Sequence, residues 1–168
     1  MTDIGHGHSS PATLHGSGKM IAGKLTGIDA HGARPHLGQN AIEVMAQLVQ
    51  AIKSIHVNPM VPHSAKMTKF EAGGVSANII PGNAVFTLDI RAQTNEVMDK
   101  LVSQGTRKID LVADMFEVEM DCEIIAEIVA AEVDESAVEF MAQAIRETVG
   151  EQFLVPPIVS PGGEDFHY

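Results

Sequence analysis

The segment AHGARPHLGQN, residues 30–40, gathers His31, Arg34 and His36 around Pro35, immediately before an amphipathic pattern. A tight surface turn alone would be served by Asn, Asp or Ser, whose side chains bond to their own backbone. Imidazole and guanidinium groups instead donate protons or hydrogen bonds to a ligand. The cluster is therefore a candidate for chemistry.

Two further polar residues stand at positions that a purely structural account explains less easily. Asn78 lies in the loop GGVSANIIPGN, and Arg91 projects from the polar face at the end of the strand pattern AVFTLDIRA. Each candidate also has a structural interpretation. His31 would serve as a turn residue, Asn78 as a left-handed turn residue, and Arg91 as a solvated or ion-paired group.

Complete catalytic motifs are absent from the sequence. No H-E-x-x-H, CxxC, G-x-S-x-G or P-loop pattern occurs. The single cysteine, Cys122, excludes an internal disulfide and a multi-cysteine metal site, and it fits a reducing cytoplasm. His6, His8 and His15 could bind a metal, but they lie in an unpatterned segment where they also fit as ordinary polar residues.

Composition and charge restrict the possible partners. The chain has 168 residues and 45% hydrophobic residues, enough for a packed core. Residues 110–168 carry 15 of the 22 acidic side chains and one basic side chain, Arg146. Nucleic acid is therefore not an expected partner. No apolar run approaches the length of a membrane span, and no secretion signal is apparent, so we expect neither membrane insertion nor export.

The hydrophobic pattern predicts six elements in the order β-α-β-β-α-β. The first strand contains Gly23 and Gly27, which suggest a bulge, and the first helix is capped by Asn40 with Glu43 three residues on. The last strand is expected to bury Cys122. The predicted elements are a strand at 19–29, a helix at 41–54, strands at 64–72 and 84–92, a helix at 95–114 and a strand at 116–128.

This order predicts an α/β chain of the α+β type with a ferredoxin-like split βαβ fold over residues 19–129. Four antiparallel strands would carry two helices on one face. A third helix, at 134–149, has an apolar stripe that this unit cannot cover, so residues 130–168 are expected to be part of a second domain. Residues 1–18 are expected to be an irregular lead-in from the same second domain.

Three segments together resemble a known enzyme family. GIDAHGARPHLGQNAIE, GGVSANIIPGNAVFTLDIRA and GGEDFHY are similar, in order and spacing, to signatures of the aminoacylase and carboxypeptidase-G type metallopeptidases. Within that family, the segments look like those of the bacterial amidohydrolases grouped with hippurate hydrolase and auxin-conjugate hydrolase. The resemblance implies that residues 19–129 are a lid inserted into a two-metal catalytic domain, and that lids pair to form a homodimer.

The resemblance also implies roles for individual residues. His31 corresponds to a lid histidine that reaches into the partner subunit's site and bonds to the scissile carbonyl oxygen as it becomes an oxyanion. Asn78 corresponds to a loop asparagine that holds the substrate, and Arg91 to an arginine that binds its carboxylate. Glu164 and Asp165 match an element that lines the site, and Glu164 is expected to contact substrate. Arg34 and His36 are expected to shape the turn.

The family's metal ligands and catalytic glutamate have no match in this chain. The complete enzyme is expected to use a divalent metal, zinc, and to cleave the amide of an N-acyl amino acid or a similar small amide. The chain alone is expected to bind no metal and to be inactive. Two alternatives remain at this point. One is a non-catalytic dimerisation or small-ligand-binding module of the same topology, and the other is metal binding by the histidines of residues 1–18.

Overall fold

The computed structural model of the chain describes residues 2–3 and 7–164. The strands are β1 (Thr2–Asp3), β2 (Ser9–Ser10), β3 (Thr13–His15), β4 (Ser17–Thr26), β5 (Ala30–His31), β6 (His63–Ala72), β7 (Ile79–Ile80), β8 (Asn83–Ala92), β9 (Glu119–Ile128) and β10 (Ile158–Ser160). The helices are α1 (Ala41–Lys53), α2 (Asn95–Phe116) and α3 (Glu135–Thr148). Short 3-10 turns lie at Pro35–Leu37 and Glu151–Phe153.

The main sheet has four antiparallel strands in the order β6-β8-β4-β9. The helices α1 and α2 pack on one face of it, and no helix of the described residues packs on the other face. This confirms the predicted split βαβ fold. Strand β8 alternates as the sequence indicated, because every second side chain of a strand points to the same face. The side chains of β8 that face the helices are Phe86, Leu88 and Ile90, all essentially inaccessible to solvent.

Both helices of this unit begin at a capping side chain, at Asn40 as predicted for α1 and at Thr94 for α2. The side-chain oxygen of Asn40 accepts the N–H of Ile42 at 3.1 Å, and that of Thr94 accepts the N–H of Val97 at 3.3 Å. Within α1, Val44 is buried and Ile42 is 46% exposed.

The predicted bulge in β4 is real, but its extra residue lies on the neighbouring strand. The pairing of β4 with β9 shifts between Met20 and Ile21, and Ile125 of β9 is the unpaired residue. Gly23 has a different purpose. A Cβ at that position would lie 2.1 Å from Cζ of Phe86, so the glycine makes room for the largest side chain of the core.

Cys122 is exposed, which corrects the prediction that it is a core residue. Strand β9 lies at the edge of the sheet, and the register partner of Cys122 is Gly23, which has no side chain to cover the thiol. Partial burial still raises the pKa of the Cys122 thiol, and the carboxylates of Asp110 and Asp121 raise it further because they disfavour a second negative charge.

The described part of the lead-in, residues 2–3 and 7–18, contains short strands, which corrects the expectation of an irregular segment. Strand β3 pairs in parallel with β10, and the buried Ser10 donates its hydroxyl hydrogen to the carbonyls of Ala12 and Pro156. The partner strand lies about 145 residues away in the chain, as the register Leu14 to Val159 shows, so no local periodicity reveals it. The domain limits 1–18, 19–129 and 130–168 remain predictions.

Helix α3 packs on the turn Glu151–Phe153 and stands outside the two-helix layer. Arg146 bonds to Glu139 at 2.8 Å and to Glu151 at 2.9 Å, which ties the helix to that turn. Phe140 of α3 remains 75% exposed. Across the described residues, none of the helices combines the length and apolarity that crossing a lipid bilayer demands.

Candidate functional site

The first candidate group lies at one end of the main sheet, beside the start of α1. Strands β5 and β7 form a separate two-stranded antiparallel ribbon in which His31 pairs with Ile79. The N–H of Gly32 donates to the carbonyl of Asn78 at 2.8 Å. The ribbon therefore brings together His31 and Asn78, which are 47 residues apart in the sequence. We call this region the loop end.

Backbone packing fixes the loop end. The Ile28 backbone passes between two glycines, and a Cβ at Gly38 would lie 2.4 Å from the Ile28 carbonyl oxygen, whereas one at Gly82 would lie 2.5 Å from the Ile28 carbonyl carbon. The N–H of Gly82 donates to Oδ1 of Asp29 at 2.5 Å. Because the backbones themselves meet, the ribbon has little freedom to shift relative to the sheet.

The hydrogen bonds around His31 define which ring nitrogen carries the proton. Nδ1 accepts the N–H of Ala33 at 3.1 Å, so the neutral ring carries its hydrogen on Nε2. The side-chain amide nitrogen of Asn78 lies 3.1 Å from Nε2. Only one ring nitrogen of a neutral imidazole can accept a hydrogen bond. The Asn78 amide must therefore present its oxygen to Nε2–H, an orientation obtained by exchanging the positions of the amide oxygen and nitrogen.

Arg34 and His36 lie in the turn that follows His31. The N–H of Arg34 donates to the His31 carbonyl at 2.7 Å, and His36 is part of the 3-10 turn Pro35–Leu37. Both residues are exposed. The backbones of Arg34 and His36 therefore form part of the turn. That their side chains also shape the turn stays a prediction.

The second candidate group lies at the opposite end of β8, on the face without helices. Arg91 donates its Nε–H to Oδ1 of Asp89 at 2.7 Å. A Cβ on Gly18 would lie 2.8 Å from Nη1 of Arg91, so the guanidinium lies directly over this glycine in the adjacent strand. We call this region the hinge end. Sequence reasoning missed Gly18 and Asp89, although an Asp-x-Arg spacing places both charged groups on one face of a strand.

Glu164 reaches the neighbourhood of the hinge end through the residue before it. A Cβ on Gly163 would lie 2.7 Å from Cγ2 of Ile128, and Ile128 pairs in register with Gly18. Glu164 itself is exposed. Asp165, the other acidic residue of this segment, lies outside the described residues.

The two groups are far apart within one chain. Strand β8 runs from Asn83, next to the loop end, to Arg91 and Ala92 at the hinge end. Eight residues of strand at about 3.4 Å each separate Asn83 from Arg91 by roughly 27 Å. The structure thus joins His31 with Asn78 and brings Glu164 close to the Arg91 region, but it does not bring all four to one place.

The described residues offer no metal site, since no three His, Cys, Asp or Glu side chains among them converge. The ring of His8 meets the ring of Phe153 edge-on at 6.2 Å, whereas Nδ1 of His15 lies 3.3 Å from the Gly162 carbonyl. These two histidines therefore have separate surroundings. His6, the third histidine proposed for a metal site in residues 1–18, lies outside the described residues.

By its fold, the chain is a split βαβ domain with polar groups at both ends of one strand. The family model described as the peptidase dimerisation domain matches residues 13–111, and the chain belongs to that family. It is 22% identical over 172 residues to indole-3-acetyl-aspartic acid hydrolase of Enterobacter agglomerans, which covers 96% of this chain. It is 32% identical over 114 residues to a p-aminobenzoyl-glutamate hydrolase homolog of Haemophilus influenzae, over 63% of this chain.

Solved structures have the same fold. A protein assigned as an aminohydrolase from methicillin-resistant Staphylococcus aureus matches 96% of this chain with a TM-score of 0.86 at 21% identity. The chain spans only part of each relative: 38% of the Enterobacter protein, 25% of the Haemophilus protein and 42% of the Staphylococcus protein. The likeness therefore concerns this domain and its flanks.

Proposed function

We propose that this chain is the dimerisation part of a metal-dependent amidohydrolase that cleaves the amide bond of N-acyl amino acids or similar small amides. The names of the two curated relatives describe hydrolases of amino-acid conjugates. The observation that carries the proposal is the separation of two polar groups by the length of β8. The group at the loop end suits an oxyanion and the group at the hinge end suits a carboxylate. These are the two negatively charged groups of an N-acyl amino acid as its amide is cleaved.

The hinge end binds the carboxylate of the substrate through Arg91. A guanidinium presents planar N–H donors that match the two oxygens of a carboxylate. The loop end acts on the scissile carbonyl, because the Nε2–H of His31 is a donor and the side-chain amide of Asn78 lies 3.1 Å from Nε2. When a substrate oxygen takes that hydrogen bond, Asn78 is free to contact the substrate. Glu164 lines the active site near the hinge end.

A roughly 27 Å separation along the strand is too long for one small substrate to touch both groups of one chain. The active site is therefore composite, with His31 and Asn78 from one chain and Arg91 from the other. Since a twofold dimer repeats each contact, two equivalent sites form. The described residues do not fit a metal ion, so the zinc expected for the complete enzyme would be held outside them, and no step is derived through it.

Activity complementation tests the composite site in the enzyme whose dimerisation domain this chain forms. At a substrate concentration well below the wild-type KM, His31→Ala and Arg91→Ala are each expected to keep about a tenth of the wild-type activity or less. Mixed and re-equilibrated, half of the dimers carry one variant of each kind and one intact site, so about one quarter of the wild-type activity returns. No recovery on mixing, with both variants stably dimeric, would mean that both residues serve the same site of one chain.

The dimer forms through β6, one of the two edges of the sheet. Strand β9, the other edge, carries Glu119, Asp121 and Glu123 in addition to Glu127, which is paired with Lys19, so two copies of it would repel each other. Strand β6 carries Lys66, Lys69 and Glu71, a mixture that can complement itself in an antiparallel pair. A groove of about 360 Å³ between α1 and β6 is lined by apolar side chains that include Val49, Ile52 and Phe70, and by three lysines, Lys53, Lys66 and Lys69.

Matched edge substitutions test this interface by sedimentation velocity. Phe70 is 39% exposed on β6 and Ile125 is 53% exposed on β9. Phe70→Glu is expected to give a monomer because it removes the exposed aromatic ring from the interface and requires a carboxylate to be desolvated there, whereas Ile125→Glu leaves the dimer intact. If only Ile125→Glu breaks the dimer, the interface is formed by β9 and not by β6.

A cytoplasmic location is also part of the proposal and rests on the single cysteine.

A further inference from the structure

Two residues with no assigned role hold the guanidinium of Arg91. Oδ1 of Asp89 accepts the Nε–H of Arg91 at 2.7 Å. The Arg91 side chain is 33% exposed and that of Asp89 is 28% exposed, so both are mostly covered. Ion pairs between fully exposed side chains have little fixed geometry. Partial burial and a short distance make this pair a defined contact.

Gly18 supplies the space in which the guanidinium lies. It is the register partner of Arg91 in the adjacent strand. A Cβ at position 18 would lie 2.8 Å from Nη1, 3.2 Å from Cζ and 3.5 Å from Cδ of Arg91. The conflict is with the end of a side chain, so an alanine at position 18 displaces Arg91 without disturbing the backbone of the sheet.

The contact with Asp89 selects how Arg91 can bind an anion. Arginine has one N–H on Nε and four on its two Nη atoms. Because Nε–H is already bonded to Asp89, the edge formed by Nη1 and Nη2 is the one left to bind both oxygens of a carboxylate. Lys66 lies opposite Asp89 in β6, so the three groups together carry a net positive charge and still attract an anion.

We propose that Gly18 and Asp89 are positioning residues that fix the Arg91 guanidinium with its Nη1–Nη2 edge presented to the carboxylate of an N-acyl amino acid. This inference rests on the proposed role of Arg91 as the carboxylate-binding group. Gly18 prevents the guanidinium from being pushed off the sheet, and Asp89 prevents it from rotating. Pre-organisation of this kind reduces the ordering that ligand binding requires.

The first measurement concerns the ligand-free chain. In ¹H–¹⁵N spectra of the 168-residue protein, the Nε–H of Arg91 is expected to exchange slowly with water and to resonate away from the signals of exposed arginines. Asp89→Ala and Gly18→Ala each abolish that signature, because one removes the acceptor and the other displaces the donor. The matched controls Asp121→Ala, on the same face of the sheet, and Gly74→Ala, where a Cβ meets nothing within 4 Å, leave it unchanged.

The second measurement is binding of N-acetylglycine, with N-acetylglycinamide as the matched ligand that lacks a carboxylate. The wild-type chain is expected to bind the acid more tightly than the amide, and Arg91→Ala abolishes the preference. Gly18→Ala keeps the arginine and its charge but weakens binding of the acid about tenfold or more, since the charge-assisted contacts lose their geometry. Gly74→Ala binds as the wild type does.

The two measurements separate the two ideas. An unchanged Nε–H signature in both Asp89→Ala and Gly18→Ala would overturn the positioning role. So would wild-type affinity for the acid in Gly18→Ala while Arg91→Ala loses it. If the wild-type chain and Arg91→Ala bind the acid equally, the proposed carboxylate role of Arg91 is wrong. Gly18 and Asp89 then do not position Arg91 for carboxylate binding.

Discussion

The loop end and the hinge end of the sheet are built in opposite ways. At the loop end, Gly38 and Gly82 allow backbone to lie against the Ile28 backbone, and the ring of His31 is held by one backbone N–H and one side-chain amide. At the hinge end, Gly18 makes room for a side chain, and a side chain, Asp89, holds it. The ribbon that carries His31 is thus fixed by main-chain contacts, whereas the guanidinium of Arg91 is held by a side chain; in the proposed function the first group acts on one substrate atom and the second binds an anion.

This difference predicts that the two ends contribute to different kinetic constants. In the complete enzyme, His31→Ala is expected to lower kcat by about 10²–10³, the cost of losing one oxyanion donor, with little change in KM. His36→Ala, in the same exposed turn, is the control and keeps its activity. Steady-state kinetics with an N-acyl amino acid measures both. Equal losses in the two variants would mean that the turn matters and the imidazole does not.

At the hinge end, Arg91→Ala is expected to raise KM for an N-acyl amino acid by about 10–100-fold, because a charge-assisted hydrogen-bonding group is lost. The corresponding N-acyl amino amide, which has no carboxylate, is expected to be processed equally by both forms. Arg107→Ala, an exposed arginine on α2, serves as the control. A loss confined to kcat would remove the distinction between the two ends.

The contrast between backbone and side-chain support also predicts different effects on stability. Gly82→Ala is expected to destabilise the chain by about 1–3 kcal/mol, because the new Cβ strikes the Ile28 backbone. Gly18→Ala is expected to change the free energy of unfolding by less than about 0.5 kcal/mol, since only the end of Arg91 must move. Urea denaturation measures both, with Gly74→Ala as the reference. Similar losses at positions 18 and 82 would contradict the comparison.

The smallest expected effect concerns the proton on His31. Long-range ¹H–¹⁵N spectra are expected to show the hydrogen on Nε2, because Nδ1 accepts the N–H of Ala33. Ala33→Pro removes that donor, worth about 1 kcal/mol, and should move the tautomer ratio by about fivefold toward that of an exposed histidine. His36 provides the internal reference. Hydrogen on Nδ1 in the wild type would show that the loop end does not select the tautomer.

Much of the main fold could be predicted from local sequence. The cap at Asn40 and the alternation of Phe86, Leu88 and Ile90 act within a few residues, so their effects are visible in the pattern itself. The pairing of β3 with β10 could not be predicted in this way, because its partners are far apart in the chain. The exposure of Cys122 was missed for a related reason, since it depends on which strand lies at the edge.

The candidate site, like the fold, could be predicted from the sequence only in part. Its residue types were evident from the motifs around His31, Asn78 and Arg91. Their grouping into two ends was not, because it depends on the sheet order and on the length of β8. Gly18 and Asp89 also escaped notice. A glycine in a strand predicts a close approach, but the sequence does not say what approaches it.

The sequence by itself determined the elements of this protein, since caps, alternation and helical stripes depend on neighbours a few positions away. It also determined the side chains available for chemistry. Only the tertiary structure decided which of them meet, because contacts such as His31 with Asn78 and Gly18 with Arg91 depend on register between distant segments. The separation of the two polar groups is a property of the folded sheet alone.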